Sequence, residues 1–114
     1  MDLAVATKQV EDVAVVTVGG EVDVYTAPLL RDTLEQRIAA GDTHIVVDLD
    51  AVKFIDSTGL GVLVGRLKAV RNRSGALVVA CTNQRVLTVF RLTGLDKVFT
   101  VAESVDQAIE LARA

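Results

Sequence analysis

The chain has 114 residues, 51% of them apolar, with a formal net charge of −3 and a mean hydropathy of +0.44. That length suits one packed core rather than two, and that apolar content excludes a disordered chain. The acidic balance, scattered cations and four aromatics (three Phe and one Tyr) argue against nucleic acid as a partner, and one Cys with one His cannot build a structural zinc site.

No membrane partner is expected either. The longest apolar runs, such as Gly59 to Gly65, fall far short of the roughly 18–20 residues a span needs. Met1-Asp2-Leu3 supplies no basic segment ahead of an apolar one, so no signal peptide is read and a cytoplasmic location is expected.

Residues 2–10 and 12–18 are Val-rich and strand-like, with Glu11-Asp12 as the turn of a hairpin. Gly19-Gly20-Glu21 is expected to interrupt the second strand, with Val22-Asp23-Val24 following in a loop. A first helix has Thr26 or Ala27 as N-cap and Pro28 in its first turn, where a missing N–H does no harm. Leu30, Leu34 and Ile38 form its apolar face, and Gly41 closes it.

His44 to Leu49 is nearly all apolar, as befits a central strand covered on both faces. The acidic segment Asp48-Leu49-Asp50 is read as the exit from it. After Asp56-Ser57-Thr58 a second helix carries Leu60, Leu63, Val64, Leu67 and Val70 on one face, and Ser74-Gly75 ends it. Ala76–Cys81 is the next buried strand. Asn83 caps a third helix, with Val86, Leu87 and Phe90 inward and Gly94 as its stop. Val98–Val101 is a short strand, and Ser104 to Gln107 is a capping box opening a last helix striped with Val105, Ala108, Ile109 and Ala112. The order β-β-α-β-α-β-α-β-α predicts one α/β domain over residues 1–114, with a mixed, mostly parallel sheet, an N-terminal hairpin and about four helices.

The chemistry concentrates at Asp56-Ser57-Thr58-Gly59-Leu60-Gly61. A strand that delivers a hydroxyl to the start of a helix places it before free N–H groups and the positive end of the helix dipole, an arrangement that tolerates a phosphate. Capping alone also accounts for Asp56, Ser57 or Thr58, but needs just one of them. Gly59 and Gly61 each cost up to about 1 kcal/mol relative to Ala in a helix. They make sense if another molecule comes close, with Leu60 projecting between them from a thinly covered surface. Asp23, after a strand, reads by itself as a turn residue bonding its own backbone.

Other chemistries find no support. Cys81 reads as a buried, inert thiol and His44 as a surface or edge residue with no nucleophile beside it. Asp48 and Asp50 invite comparison with a phosphoryl-accepting receiver domain, but the opening strands lack the acidic pair that holds Mg²⁺. Gly59-Leu60-Gly61 is followed by no Gly-Lys-Ser/Thr and is not a P-loop. With no nucleophile–base pair and no metal set, neither an enzyme nor a cofactor is expected.

The stretch VVDLDAVKFIDSTGLGVLVGRLKAVRNRSGALVV resembles the core of the anti-sigma factor antagonists of the STAS domain family. The likeness runs from Gly20-Glu21-Val22-Asp23 to Leu92-Thr93-Gly94-Leu95, and Asp56-Ser57-Thr58-Gly59-Leu60-Gly61 is its most specific part. The resemblance implies a protein-binding switch. Ser57 would be phosphorylated by an anti-sigma factor that is itself a serine kinase, and a metal-dependent phosphatase would reverse this. Thr58 is the neighbouring alternative acceptor. Asp23, Asp56, Ser57, Thr58, Gly59, Leu60 and Gly61 would form the partner surface. Two other readings stay open: a constitutive STAS interaction module, scaffold or transport accessory, with Ser57 only a helix cap, and a small-ligand binder.

Overall fold

The computed structural model describes residues 2–114. Strand β1 (Leu3–Val10) turns through Glu11 into β2 (Val13–Val22), and helix α1 (Ala27–Ala39) leads to β3 (His44–Ile55). Then come α2 (Ser57–Arg71), β4 (Ala76–Ala80), α3 (Gln84–Leu92), a 3-10 turn (Leu95–Lys97), β5 (Thr100–Ala102) and α4 (Val105–Arg113). The sheet order is β1-β2-β3-β4-β5, antiparallel between β1 and β2 and parallel thereafter.

This order decides where the helices lie. From β2 to β5 each strand is added on the same side of the last, so right-handed crossovers put α1, α2 and α3 on one face. There Leu30, Leu34, Leu63, Leu67, Val86 and Phe90 bury the inward residues of the sheet. Helix α4 has no following strand to reach. It covers the other face, where Ala108, Ile109 and Ala112 pack on Val13, Val15, Val46 and Val78.

Three elements depart from the sequence reading. Strand β2 is not interrupted by Gly19-Gly20-Glu21 but continues to Val22, with register shifts between Thr17 and Gly19 and between Gly20 and Glu21. Strand β3 does not leave the sheet at Asp48 but runs on to Ile55 beside β2. Leu49 and Val52, three positions apart, both stay buried in the core because the register shift opposite Thr17–Gly19 adds a residue to β3. The exposed Asp50-Ala51 pair lies in that irregularity rather than at an exit. Strand β5 is shorter and later than Val98–Val101, because Val98 and Phe99 both donate their N–H to Leu95 O as the 3-10 turn closes.

The α2 glycines have unlike roles. A Cβ on Gly59 would stand 2.5 Å from Val22 Cγ1 and 2.9 Å from Ile55 Cγ1, whereas one on Gly61 would meet nothing within 4 Å. Gly59 lets the first turn of α2 press onto the ends of β2 and β3. Gly59→Ala should therefore destabilise the fold by about 1–3 kcal/mol through overpacking. Gly61→Ala should be neutral to stabilising by about 0.5–1 kcal/mol. Urea denaturation of the two variants checks the contrast.

Candidate functional site

Parallel pairing aligns Glu21 with Phe54 and Val22 with Ile55. The next backbone N–H, that of Asp56, donates to Val22 O at 3.1 Å. Asp23 and Asp56 therefore leave the carboxyl ends of neighbouring strands together. Each is the first residue of a connection to a helix, and the two connections make one surface.

Asp56 is the residue that caps α2. Its backbone is extended (φ −106°, ψ −175°), and its Oδ1 accepts from Thr58 N at 2.9 Å and Gly59 N at 3.1 Å. Ser57 thus becomes the first helical residue, exposed, with no hydrogen bond from its hydroxyl among the described residues. The expectation that free N–H groups face that hydroxyl is corrected: two are already taken by Asp56. The reading of Ser57 as the cap is corrected for the same reason. Thr58 is also exposed, but its N–H is bound to the capping carboxylate.

Leu60 does not project from the surface. It is 5% exposed and belongs to the core with Leu63 and Leu67, because the close approach of Gly59 rotates the first turn of α2 inward. Gly59 is likewise buried, which removes both from direct contact with a partner. Gly61 is exposed.

Asp23 is 7% exposed and serves its own turn. Its Oδ1 accepts from Tyr25 N at 2.9 Å and Thr26 N at 3.0 Å. The Thr26 hydroxyl takes the Asp23 N–H at 2.9 Å and lies 2.7 Å from Glu21 O and 3.2 Å from Asp23 Oδ1. Its bonding points backward, which is why Thr26 makes no side-chain cap on α1. Burial pulls the Asp23 carboxyl upward, but the Thr26 and Tyr25 N–H groups and the Thr26 hydroxyl outweigh it and hold the group below its ordinary value.

What the Asp23 turn displays went unnoticed in the sequence. Val24 is 58% and Tyr25 82% exposed at its tip, and Leu29 and Phe54 are also exposed. The available signal was an apolar pair, Val24-Tyr25, inside a connection that should be polar. Elsewhere, Cys81 is buried and its thiol is pushed above its ordinary value by that burial, so it carries little thiolate. His44 Nδ1 lies 2.7 Å from Ala112 O and ties the end of α4 to β3. Among the described residues no group of His, Cys, Asp or Glu is arranged to hold a metal ion, and no helix is long and apolar enough to cross a membrane.

An exposed hydroxyl on a helix start thus stands beside a built turn bearing exposed apolar side chains, on an α/β scaffold. The comparisons name the scaffold: the STAS domain model matches residues 4–108, and the chain belongs to that family. It is 34% identical over 110 residues to the anti-sigma-B factor antagonist of Bacillus subtilis, covering 96% of this chain and all of that one. It is 37% identical over 106 residues to the anti-sigma-B factor antagonist of Staphylococcus aureus, covering 93% and 98%. An anti-sigma factor antagonist from Mycobacterium paratuberculosis, solved by crystallography, superposes with a TM-score of 0.91 at 29% identity over 99% of this chain and 96% of that one.

The lowered Asp23 carboxyl makes a prediction about acid stability. A carboxyl whose folded pKa lies below its unfolded value of about 3.9 stabilises the fold above that value and ceases to as pH falls through the folded one. Wild type should thus lose stability relative to Asp23→Asn as pH falls from about 4, while above this the Asn variant should be the less stable. Urea midpoints measured across acid pH test this narrowing of the gap.

Proposed function

We infer that this chain is an anti-sigma factor antagonist whose docking is switched by phosphorylation of Ser57, and that it is a regulatory binding protein rather than an enzyme. The observation that carries this reading is the free, exposed Ser57 hydroxyl at the head of α2, with capping delegated to Asp56. The relatives named as anti-sigma-B factor antagonists support it. In this account the whole chain, 1–114, is one STAS unit acting in the cytoplasm. Its partners are an anti-sigma factor that is also a serine kinase and a metal-dependent phosphatase that restores the hydroxyl. Asp56, Ser57, Thr58 and Gly61 meet the partner directly. Asp23, Gly59 and Leu60 act from beneath, by shaping the turn and seating the helix.

Unmodified, the surface binds the anti-sigma factor and so frees its sigma factor. A phosphate adds about −1.5 to −2 charges beside the Asp56 carboxylate. The helix dipole favours that anion by roughly 0.3–1 kcal/mol, and the adjacent carboxylate offsets part of this. The two effects are small and opposed, so the fold is unchanged. At a partner surface the dianion must be desolvated, at a cost of several kcal/mol, and each 1.4 kcal/mol is about tenfold in affinity. The constitutive-module reading required Ser57 to be needed as a cap, and the Asp56 bonds to Thr58 N and Gly59 N remove that need.

The test is incubation with each purified anti-sigma factor serine kinase of the source organism and Mg-ATP, then tandem mass spectrometry and calorimetry. One phosphate should map to Ser57, vanish in Ser57→Ala and persist in Thr58→Ala. The phosphorylated chain should bind its kinase at least about 100-fold more weakly, some 2.7 kcal/mol. Phosphate on Thr58, or unchanged affinity, would overturn the reading.

A further inference from the structure

Strand β3 outruns its neighbour. Pairing with β4 ends at Asp48 and Ala80, so the β3 edge from Leu49 to Ile55 has no strand beside it on that side. The start of α3 covers the first part, with Asn83 Nδ2 donating to Val52 O and to Asp50 O. Past Val52 those hydrogen bonds stop. There a cavity of about 90 Å³ opens, lined by Lys53, Phe54, Ile55, Arg85, Val86 and Val89.

Ile55 and Val86 are its buried floor, and Phe54, 51% exposed, is one wall. The two cations are exposed, and neither makes an ion pair among the described residues, although the chain as a whole is acidic. No acidic residue lines the space. The space is small and its floor is apolar, which suits one aliphatic side chain.

We propose that this groove is a second docking site for the partner protein, taking one aliphatic side chain of an acidic segment whose carboxylates pair with Lys53 and Arg85. The identity of the partner as an anti-sigma factor rests on the function inferred above; the chemistry of the groove does not. Its last lining residue in β3, Ile55, is followed at once by Asp56 and Ser57. A partner seated over Ser57 therefore extends naturally across it. An acidic segment held there also gives the phosphate its target, because a dianion on Ser57 repels those carboxylates.

The experiment titrates the ¹⁵N-labelled full chain with the capped peptide Asp-Glu-Leu-Glu-Asp and follows backbone amide shifts. Saturable shifts are expected at Lys53–Ile55 and Arg85–Val89. Replacing the central Leu by Gly, or all the acids by Lys, should weaken binding at least about tenfold, near 1.4 kcal/mol. Lys53→Glu with Arg85→Glu should do the same while the rest of the spectrum keeps its dispersion, and Val89→Asp is the second variant should that pair perturb the fold. Ser57→Ala should bind as wild type does, which separates the groove from the phosphorylation reading. Equal binding of the Gly peptide, shifts centred elsewhere, or no saturable shift would overturn the proposal.

Discussion

A single carboxylate oxygen, Asp56 Oδ1, takes the N–H groups of Thr58 and Gly59 and so leaves the Ser57 hydroxyl free of the cap. Helices leave their first N–H groups without internal partners, and a hydroxyl at that position is ordinarily drawn in to satisfy them. With Asp56 doing so, the Ser57 side chain has no duty to the fold. It stands in solvent on a segment whose backbone is held by the Asp56 cap and the β2–β3 pairing.

That cap depends in turn on the sheet. Asp56 reaches its extended conformation because β3 remains a strand through Ile55, paired to β2, and because the Asp56 N–H is received by Val22 O. Gly59 completes the arrangement by allowing α2 to touch Val22 and Ile55. The same register places the Asp23 turn next to the cap and lifts Val24 and Tyr25 into solvent. The exposed face and the core beneath it are thus built by the same few residues, with core contacts below and exposed groups above.

Most of the architecture is legible in the sequence. Val-rich runs, helical spacing of Leu30, Leu34 and Ile38, and the caps at Asn83 and Ser104 all have local causes, and the structure places the side chains of both caps on N–H groups of their helices. What escaped was non-local. Leu49 and Val52 are buried by neighbours far along the chain, so Asp48 and Asp50 misleadingly read as an exit. Leu60 read as exposed because nothing nearby in sequence announces that Gly59 presses against Val22. Among Asp56, Ser57 and Thr58 only backbone angles could choose the cap. The position of the hydroxyl was legible from its motif; its freedom from other work was not.

The central claim is that the fold is indifferent to phosphate on Ser57. It is tested most directly by urea unfolding of the chain bearing phosphoserine at position 57, introduced during synthesis, beside the unmodified chain. The account predicts the same slope and an unfolding free energy extrapolated to water within about 1 kcal/mol of the unmodified value. Loss of the cooperative transition, or a drop of several kcal/mol, would contradict it and make the switch one of unfolding.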